Sequence, residues 1–207
     1  MAMEGVRRAM ASIPDQAFLA EPSLANRREL LNWLTHAVAQ VNADIYARSQ
    51  ADPALRGMGC TIDIALVRGQ GLFLAHIGDS RVYGFLGETL YQLTEDHTFG
   101  QTMLSSGAMT AAEVKDHPQA NRLLRALGVF PKVDVDVAYL DIAPGDVYML
   151  CSDGVHGLVD STVVAETLKK QSDFAVASLI DAALRSGGRD NATAIVVQIA
   201  TCAAPQP

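Results

Sequence analysis

The sequence predicts an α+β fold in which antiparallel sheet is packed by helices. Hydrophobic residues recur at helical spacing in some segments and at strand spacing in others. These segments run as helices, then strands, then helices, then strands, unlike the regular strand–helix alternation of a parallel sheet. At 207 residues, the chain is long enough for one domain with a substantial core. We predict a single domain over residues 1–200 and a tail at 201–207.

The N-terminal quarter is predicted to be helical. A first helix over residues 1–12 begins without a capping residue, and Pro14 and Pro22 bracket a loop after it. A longer amphipathic helix covers residues 24–49, with Ser23 as its N-cap. Burying its apolar stripe is worth roughly 7–15 kcal/mol, so this helix should lie against a core. The stripe consists of Leu31, Leu34, Val38, Val41 and Ile45.

Two β-hairpins are predicted next, one pairing residues 60–67 with 72–77 and one pairing residues 81–86 with 89–93. A helical stretch follows over residues 98–127, broken by Gly107 and Pro118. The rest of the chain mixes both types. Its predicted strands are 133–140, 147–151 and 192–199, and its predicted helices are 162–170 and 173–186.

The composition restricts where the protein can be located in the cell and which classes of partner it can bind. The net charge of −7 argues against nucleic acid as the main partner, because a phosphate backbone requires a basic surface. No apolar run reaches the roughly 18 residues of a membrane helix, and no signal peptide opens the sequence. Cys60, Cys151 and Cys202 show neither disulfide nor metal-site spacing. We therefore expect a cytoplasmic protein that binds neither nucleic acid nor membrane.

Three acidic motifs lie where predicted strands end or begin: Gly78-Asp79-Ser80-Arg81, Ser152-Asp153-Gly154 and Arg189-Asp190-Asn191. Each motif alone is an ordinary turn. However, Asp79 and Asp153 follow strongly apolar strands, where a carboxylate is costly unless it is paired or coordinates a cation. Oxygen ligands without Cys or His favour hard ions such as Mg²⁺ or Mn²⁺. The sequence therefore indicates Asp79, Asp153 and Asp190 as candidate metal ligands.

These motifs belong to a longer series that resembles the bacterial type 2C protein phosphatases, which are metal-dependent enzymes of the PPM type. Six blocks occur in the family's order between about residues 58 and 199. They are Met58-Gly59-Cys60-Thr61, His76-Ile77-Gly78-Asp79-Ser80-Arg81, Leu93-Thr94-Glu95-Asp96-His97, Leu124-Arg125-Ala126-Leu127-Gly128, Leu150-Cys151-Ser152-Asp153-Gly154 and Gly188-Arg189-Asp190-Asn191-Ala192-Thr193. One block would be weak evidence, whereas six in order are specific.

The resemblance implies a four-layer α-β-β-α sandwich of two antiparallel sheets, with Mn²⁺ or Mg²⁺ ions in a cleft at a sheet edge. In that family two cations share a water that attacks phosphorus in line, and a third ion binds more weakly. Asp153 and Asp190 match catalytic residues that act through this metal-bound water, and Asp79 matches a ligand of the third ion. Residues 98–118 correspond to the flap beside the cleft. The implied substrates are phosphorylated Ser/Thr proteins, and a Ser/Thr kinase is an implied partner.

The sequence also departs from the family. The phosphate-gripping arginine, an Asn-Glu-Asp segment and an Asp-Gly-Met-Gly-Gly-type turn are absent from the 207 residues, and this turn carries the aspartate that bridges both metals. His156-Gly157 stands where many relatives have an aromatic residue or threonine followed by aspartate. We therefore expect a domain that is incomplete at its N-terminus. It is either a fragment or late start of an ordinary phosphatase, or a pseudophosphatase that binds phosphoproteins or a kinase. We also expect weak or no turnover and loose Mn²⁺ binding from these residues alone.

A rival interpretation is a Gly-Asp-Ser-type esterase. Ser80 would be the nucleophile, with Asp153 and His156 as its downstream partners. Ser80 is followed by a predicted strand, however, whereas those esterases place the nucleophile before a helix. Among the other histidines, His76 is predicted to be a core residue, and a surface turn explains His97 as well as a functional role does.

Overall fold

A computed structural model of the chain describes residues 1–11, 13, 23–171 and 173–200. These residues form two compact units, one made of residues 1–78 and 96–141 and the other of 79–95 and 142–200. Each unit contains one antiparallel sheet packed by helices, so the predicted fold class is confirmed. The single domain over residues 1–200 stays a prediction. The predicted loop at 14–22 and the predicted tail lie outside the described residues.

The helices and strands follow one another in the predicted order, with one additional short helix. They are α1 (Ala2–Met10), α2 (Leu24–Ala51), β1 (Ile62–Arg68), β2 (Gly71–Ile77), β3 (Arg81–Leu86), β4 (Thr89–Gln92), α3 (Phe99–Ser105), α4 (Ala111–Lys115), β5 (Asp136–Asp141), β6 (Val147–Cys151), α5 (Asp153–His156), α6 (Ser161–Lys169), α7 (Ala175–Arg185) and β7 (Ala194–Gln198). A 3₁₀ turn at Pro53–Leu55 follows α2. Among the described residues, no helix is both long and apolar enough to cross a bilayer.

The first unit is built on a sheet of order β1-β2-β5, with β2 buried along its whole length. The stripe on α2 packs into the core of this unit, and Leu34 and Val38 are completely buried. Leu31 is only half-buried, and Leu30 lies in the core. The helix begins as predicted, because the Ser23 hydroxyl accepts a hydrogen bond from the backbone of Asn26.

A polar residue, Asn42, is also buried on this face of α2. Its side-chain carbonyl accepts a hydrogen bond from the Gly128 N–H at 2.8 Å, and its amide group donates to the Phe130 carbonyl at 3.0 Å. Both polar ends are therefore satisfied, which removes most of the cost of burial. Gly128 itself has φ +80°, and a Cβ there would lie 2.3 Å from Ile45, so this turn requires glycine.

The predicted helix over residues 98–127 is wrong beyond Lys115. After α4 the chain forms turns, and Leu127 exchanges backbone hydrogen bonds with Cys60 in an isolated bridge. Leu127 is completely buried at this point. Tertiary pairing and Pro118 thus override the local helical pattern.

Two histidines of the first unit, His76 and His97, form a buried network. His76 is a core residue as predicted, with its Nδ1 2.6 Å from the Asp63 carboxylate. His97 is also buried, contrary to a surface turn, and its ring centroid lies 4.6 Å from that of His76. Its Nδ1 accepts from the Gly78 N–H, so its Nε2 donates to Asp136 at 3.0 Å.

Burial lowers the pKa of His97 below its ordinary value, and this effect outweighs the hydrogen bond to Asp136 that would raise it. Burial acts in the opposite direction on Asp136. There the hydrogen bonds from Arg125, at 2.6 Å, and His97 outweigh it and lower the carboxyl pKa. The network therefore stabilises a neutral imidazole beside a charged carboxylate.

The second unit is built on a sheet of order β4-β3-β6-β7. The central strand β6 coincides with the predicted range, and Met149 in it is completely buried. Leu168 of α6 and Leu179 of α7 complete the core of this unit. All three candidate metal ligands belong to this unit.

Candidate metal centre

The strand register brings the three acidic motifs to one end of the second sheet. Arg81 at the start of β3 pairs with Cys151 at the end of β6, and Cys151 pairs with Ala194 at the start of β7. Asp79, Asp153 and Asp190 each lie just beyond these paired positions. Neighbouring strands are about 4.8 Å apart, so the three strand ends that lead into these turns lie within about 10 Å of one another.

Ser152 ties the Asp153 segment to the Asp190 turn. Its hydroxyl donates to the Asn191 carbonyl at 3.2 Å and accepts from the Thr193 N–H at 3.1 Å. The backbone N–H of Ser152 also donates to the Thr193 carbonyl at 3.0 Å. These three bonds hold the two turns together beyond the last β6–β7 pair.

Gly154 allows the same two turns to approach closely. A Cβ at this position would lie 2.4 Å from the Asn191 carbonyl oxygen and 2.8 Å from its carbon. Gly154 is buried and its backbone does not have a positive φ, so close approach rather than conformation requires the glycine. Ser152 and Gly154, both in the predicted Ser152-Asp153-Gly154 turn, thus each contribute to the contact with the Asp190 turn.

His156 ties the Asp153 segment to the Asp79 turn. Its Nε2 lies 2.8 Å from the backbone carbonyl oxygen of Asp79. The imidazole is half-buried and lines a cavity of about 450 Å³ together with Arg81 and Tyr83. Asp153 and His156 are the first and last residues of α5, a single turn of helix that the sequence did not predict.

The carboxylates are more exposed to solvent than the sequence predicts. Asp153 and Asp190 are exposed and Asp79 is half-buried, so the expectation that burial makes the charge costly does not hold for Asp153. One oxygen of each exposed carboxylate accepts a backbone N–H: Asp153 Oδ1 from Gly154 at 2.9 Å, and Asp190 Oδ1 from Asn191 at 2.7 Å. These bonds orient one oxygen of each carboxylate. The second oxygen can accept from another donor or coordinate a cation.

The donor chemistry suits a hard divalent cation, since the three side chains offer only carboxylate oxygens. Within the described ranges, no three or more His, Cys, Asp or Glu side chains are gathered tightly enough to hold one ion. Mg²⁺ in proteins is commonly held by one or two carboxylates and several waters, so a three-residue cluster is not required. The residues therefore fit cations that are bound largely through water.

The esterase interpretation fits this geometry poorly. Ser80 precedes strand β3 instead of a helix. A carbonyl can only accept, so the bond from His156 Nε2 to Asp79 uses that nitrogen as a donor. That nitrogen is then not available as a base for a serine nucleophile.

Sequence reasoning found the acidic residues but not the side chains that tie their turns together. Ser152 belongs to a quoted motif, yet nothing in the sequence indicates that its hydroxyl reaches residues 191 and 193. His156 stood out as a departure from the family pattern and as a partner of Ser80 in the esterase interpretation, and neither pointed to a contact with Asp79. Pairing of β3, β6 and β7 would have been needed to foresee both contacts.

Comparisons with known proteins agree with the resemblance. A family profile described as protein phosphatase 2C matches residues 2–102. The serine/threonine phosphatase stp of Listeria monocytogenes is 35% identical over 178 residues, which cover 85% of this chain and 71% of that protein. The serine/threonine protein phosphatase PstP of Mycobacterium tuberculosis is 38% identical over 172 residues, covering 83% of this chain and 33% of that protein.

Solved structures show the same similarity. The crystal structure of the M. tuberculosis phosphatase PstP/Ppp superposes with a TM-score of 0.82 at 36% identity, covering 97% of this chain and 82% of that chain. A structure of the catalytic domain of PstP in complex with two manganese ions superposes with a TM-score of 0.76 at 35% identity, covering 97% of this chain and 81% of that chain.

Proposed function

Because this chain belongs to the protein phosphatase 2C family of bacterial serine/threonine phosphatases, we propose that it acts on phosphorylated serine and threonine in proteins with the aid of Mn²⁺ or Mg²⁺. The observation that supports this most is the register of β3, β6 and β7, which brings Asp79, Asp153 and Asp190 to one end of a sheet. The manganese ions in the PstP structure support the choice of metal.

Asp153 and Asp190 would hold the cations that act in hydrolysis, and Asp79 would help to hold a weaker ion. A bound divalent cation lowers the pKa of water and neutralises charge on a phosphoryl group, and this is the chemistry that it would supply. The chain's own residues orient the ligands. The Gly154 and Asn191 N–H groups fix one oxygen of Asp153 and Asp190 respectively, while Ser152 keeps the two turns adjacent.

The physiological partners are inferred from the family. The substrates are proteins phosphorylated on serine or threonine. A partner is a Ser/Thr kinase whose phosphorylation this protein removes, and both act in the cytoplasm. The net charge of −7 is consistent with a protein target and not with nucleic acid.

We expect weak turnover from a protein made of these 207 residues alone. The bridging aspartate and the phosphate-gripping arginine are not among them, and both contribute to binding in the family. If the protein binds phosphopeptides without hydrolysing them, it acts as a pseudophosphatase.

Hydrolysis of p-nitrophenyl phosphate and of a phosphothreonine peptide in millimolar Mn²⁺ tests the proposal. We expect slow, chelator-sensitive turnover that is lost in Asp153→Asn and Asp190→Asn. Asp181→Asn, which changes an exposed carboxylate on α7, is the matched control. Ser80→Ala should spare this phosphatase turnover, whereas the same change would abolish the activity of an esterase. Robust turnover that Asp153→Asn abolishes would show that these residues suffice and that the expectation of weak activity is wrong.

A further inference from the structure

We propose that His156 is a positioning residue that fixes the Asp79 turn and thereby sets the affinity of the cation that Asp79 helps to hold. This inference rests on the proposed metal-dependent function. It concerns a residue at which the sequence departs from the pattern of many relatives.

The geometry of the contact is specific. The Asp79 carbonyl can only accept, so the His156 Nε2 that lies 2.8 Å from it carries the hydrogen. The backbone that carries the imidazole is fixed on its own side. Val155, the residue before it, is completely buried, and the Gly157 N–H donates to the Asp153 carbonyl at 2.8 Å to close the single turn of α5.

The consequence for Asp79 follows from where it lies. Asp79 is in the short connection that leads into β3. Fixing its carbonyl restricts the orientation of the peptide that carries the ligand side chain. A ligand that is already ordered loses less freedom when it binds a cation, so binding is tighter. Partners of metal ligands typically change metal affinity by about 10–100-fold, and a contact to the backbone belongs at the low end.

Ser152 provides a comparison within the same segment. Its hydroxyl ties the Asp153 segment to residues 191 and 193, whereas His156 ties it to residue 79. Each of the outer turns therefore has its own tie. Changes at Ser152 and His156 should act on different turns and, through them, on different aspartates.

The test uses the 207-residue protein with two substitutions of His156. His156→Phe keeps a ring but removes the donor, and His156→Gln restores a donor at the ε position. Hydrogen exchange of the metal-free proteins measures the Asp79 turn directly. We expect faster amide exchange over residues 79–82 in His156→Phe, restored in His156→Gln. In Ser152→Ala the faster exchange should fall at residues 190–193.

Titration with Mn²⁺, followed by the electron paramagnetic resonance signal of the free ion, measures the effect on the cation. We expect His156→Phe to weaken the looser class of sites by about tenfold, and His156→Gln to lie within about twofold of the parent protein. Asp79→Asn marks the complete loss of that class.

The outcomes separate the two hypotheses. If the parent protein binds Mn²⁺ and His156→Phe matches it in either measurement, the inference about His156 is wrong and the proposed function stands. Equal weakening by Phe and Gln would also overturn it, because the donor would then not be the cause. If the parent protein binds no Mn²⁺ in the millimolar range, the proposed metal-dependent function fails and the inference fails with it.

Discussion

Substituting Gly154 with alanine tests whether close packing of two turns is needed for the metal centre. The added Cβ would lie 2.4 Å from the Asn191 carbonyl oxygen, against 3.4 Å or more in ordinary contacts. One turn must therefore move by about 1 Å, since the opposing atoms are backbone. Overpacking of this kind costs about 1–3 kcal/mol. Alanine recovers about 0.5–1 kcal/mol of that cost, because Gly154 lies in a helical turn.

The expected net result is a loss of up to roughly 2.5 kcal/mol in the free energy of unfolding, together with weaker Mn²⁺ binding. Urea denaturation and Mn²⁺ titration measure the two effects separately. Gly84→Ala is the matched control in the same unit. Its Cβ would meet only side chains, at 3.2 Å from Leu93 and 3.4 Å from Leu86 and Tyr148, which can shift slightly. If Gly154→Ala and Gly84→Ala behave alike in both assays, the reasoning from turn packing is refuted.

Three further predictions concern the first unit, and urea denaturation tests each of them. Leu34→Ala should cost about 2–5 kcal/mol because Leu34 is completely buried, while Leu24→Ala, at a position that is 83% exposed, should change stability by less than about 0.5 kcal/mol; equal losses would contradict the assignment of the core. Asn42→Leu should cost about 1–3 kcal/mol, since it leaves two backbone groups without their partner, and an unchanged stability would show that water replaces the amide. Burial lowers the pKa of His97 on folding, so the unfolded chain binds more protons than the folded protein as the pH decreases. The contribution of His97 to the free energy of unfolding is therefore fully present above the ordinary histidine pKa of about 6.5 and is lost as the pH falls below it. His97→Gln should flatten the pH dependence between about pH 5 and 7, and an unchanged slope would exclude His97 as its source.

The parts of the fold that depend on local pattern could be predicted from the sequence. The first hairpin pairs Val67 with Leu72 as expected, and β6 occupies the predicted range, because alternation and turn residues specify both. The helical stretch after Lys115 could not be predicted. Leu127 looks helical locally, but it is buried through pairing with Cys60, a residue far away in the sequence.

The candidate site divides in the same way. Asp79, Asp153 and Asp190 were found because acidic residues next to turns are visible in sequence. Their common location depends on the register of β3, β6 and β7, and turn residues in the sequence carry no information about which strands pair. The contacts of His156 and Ser152 depend on the same long-range pairing, and so does the need for glycine at position 154.

Anomalous diffraction from crystals grown with Mn²⁺ locates the bound ion without relying on activity. We expect manganese peaks within coordination distance, about 2.0–2.5 Å, of carboxylate oxygens of Asp153 and Asp190, with a weaker peak beside Asp79. Manganese bound elsewhere, with these three carboxylates contacting none of it at millimolar concentration, would contradict the account.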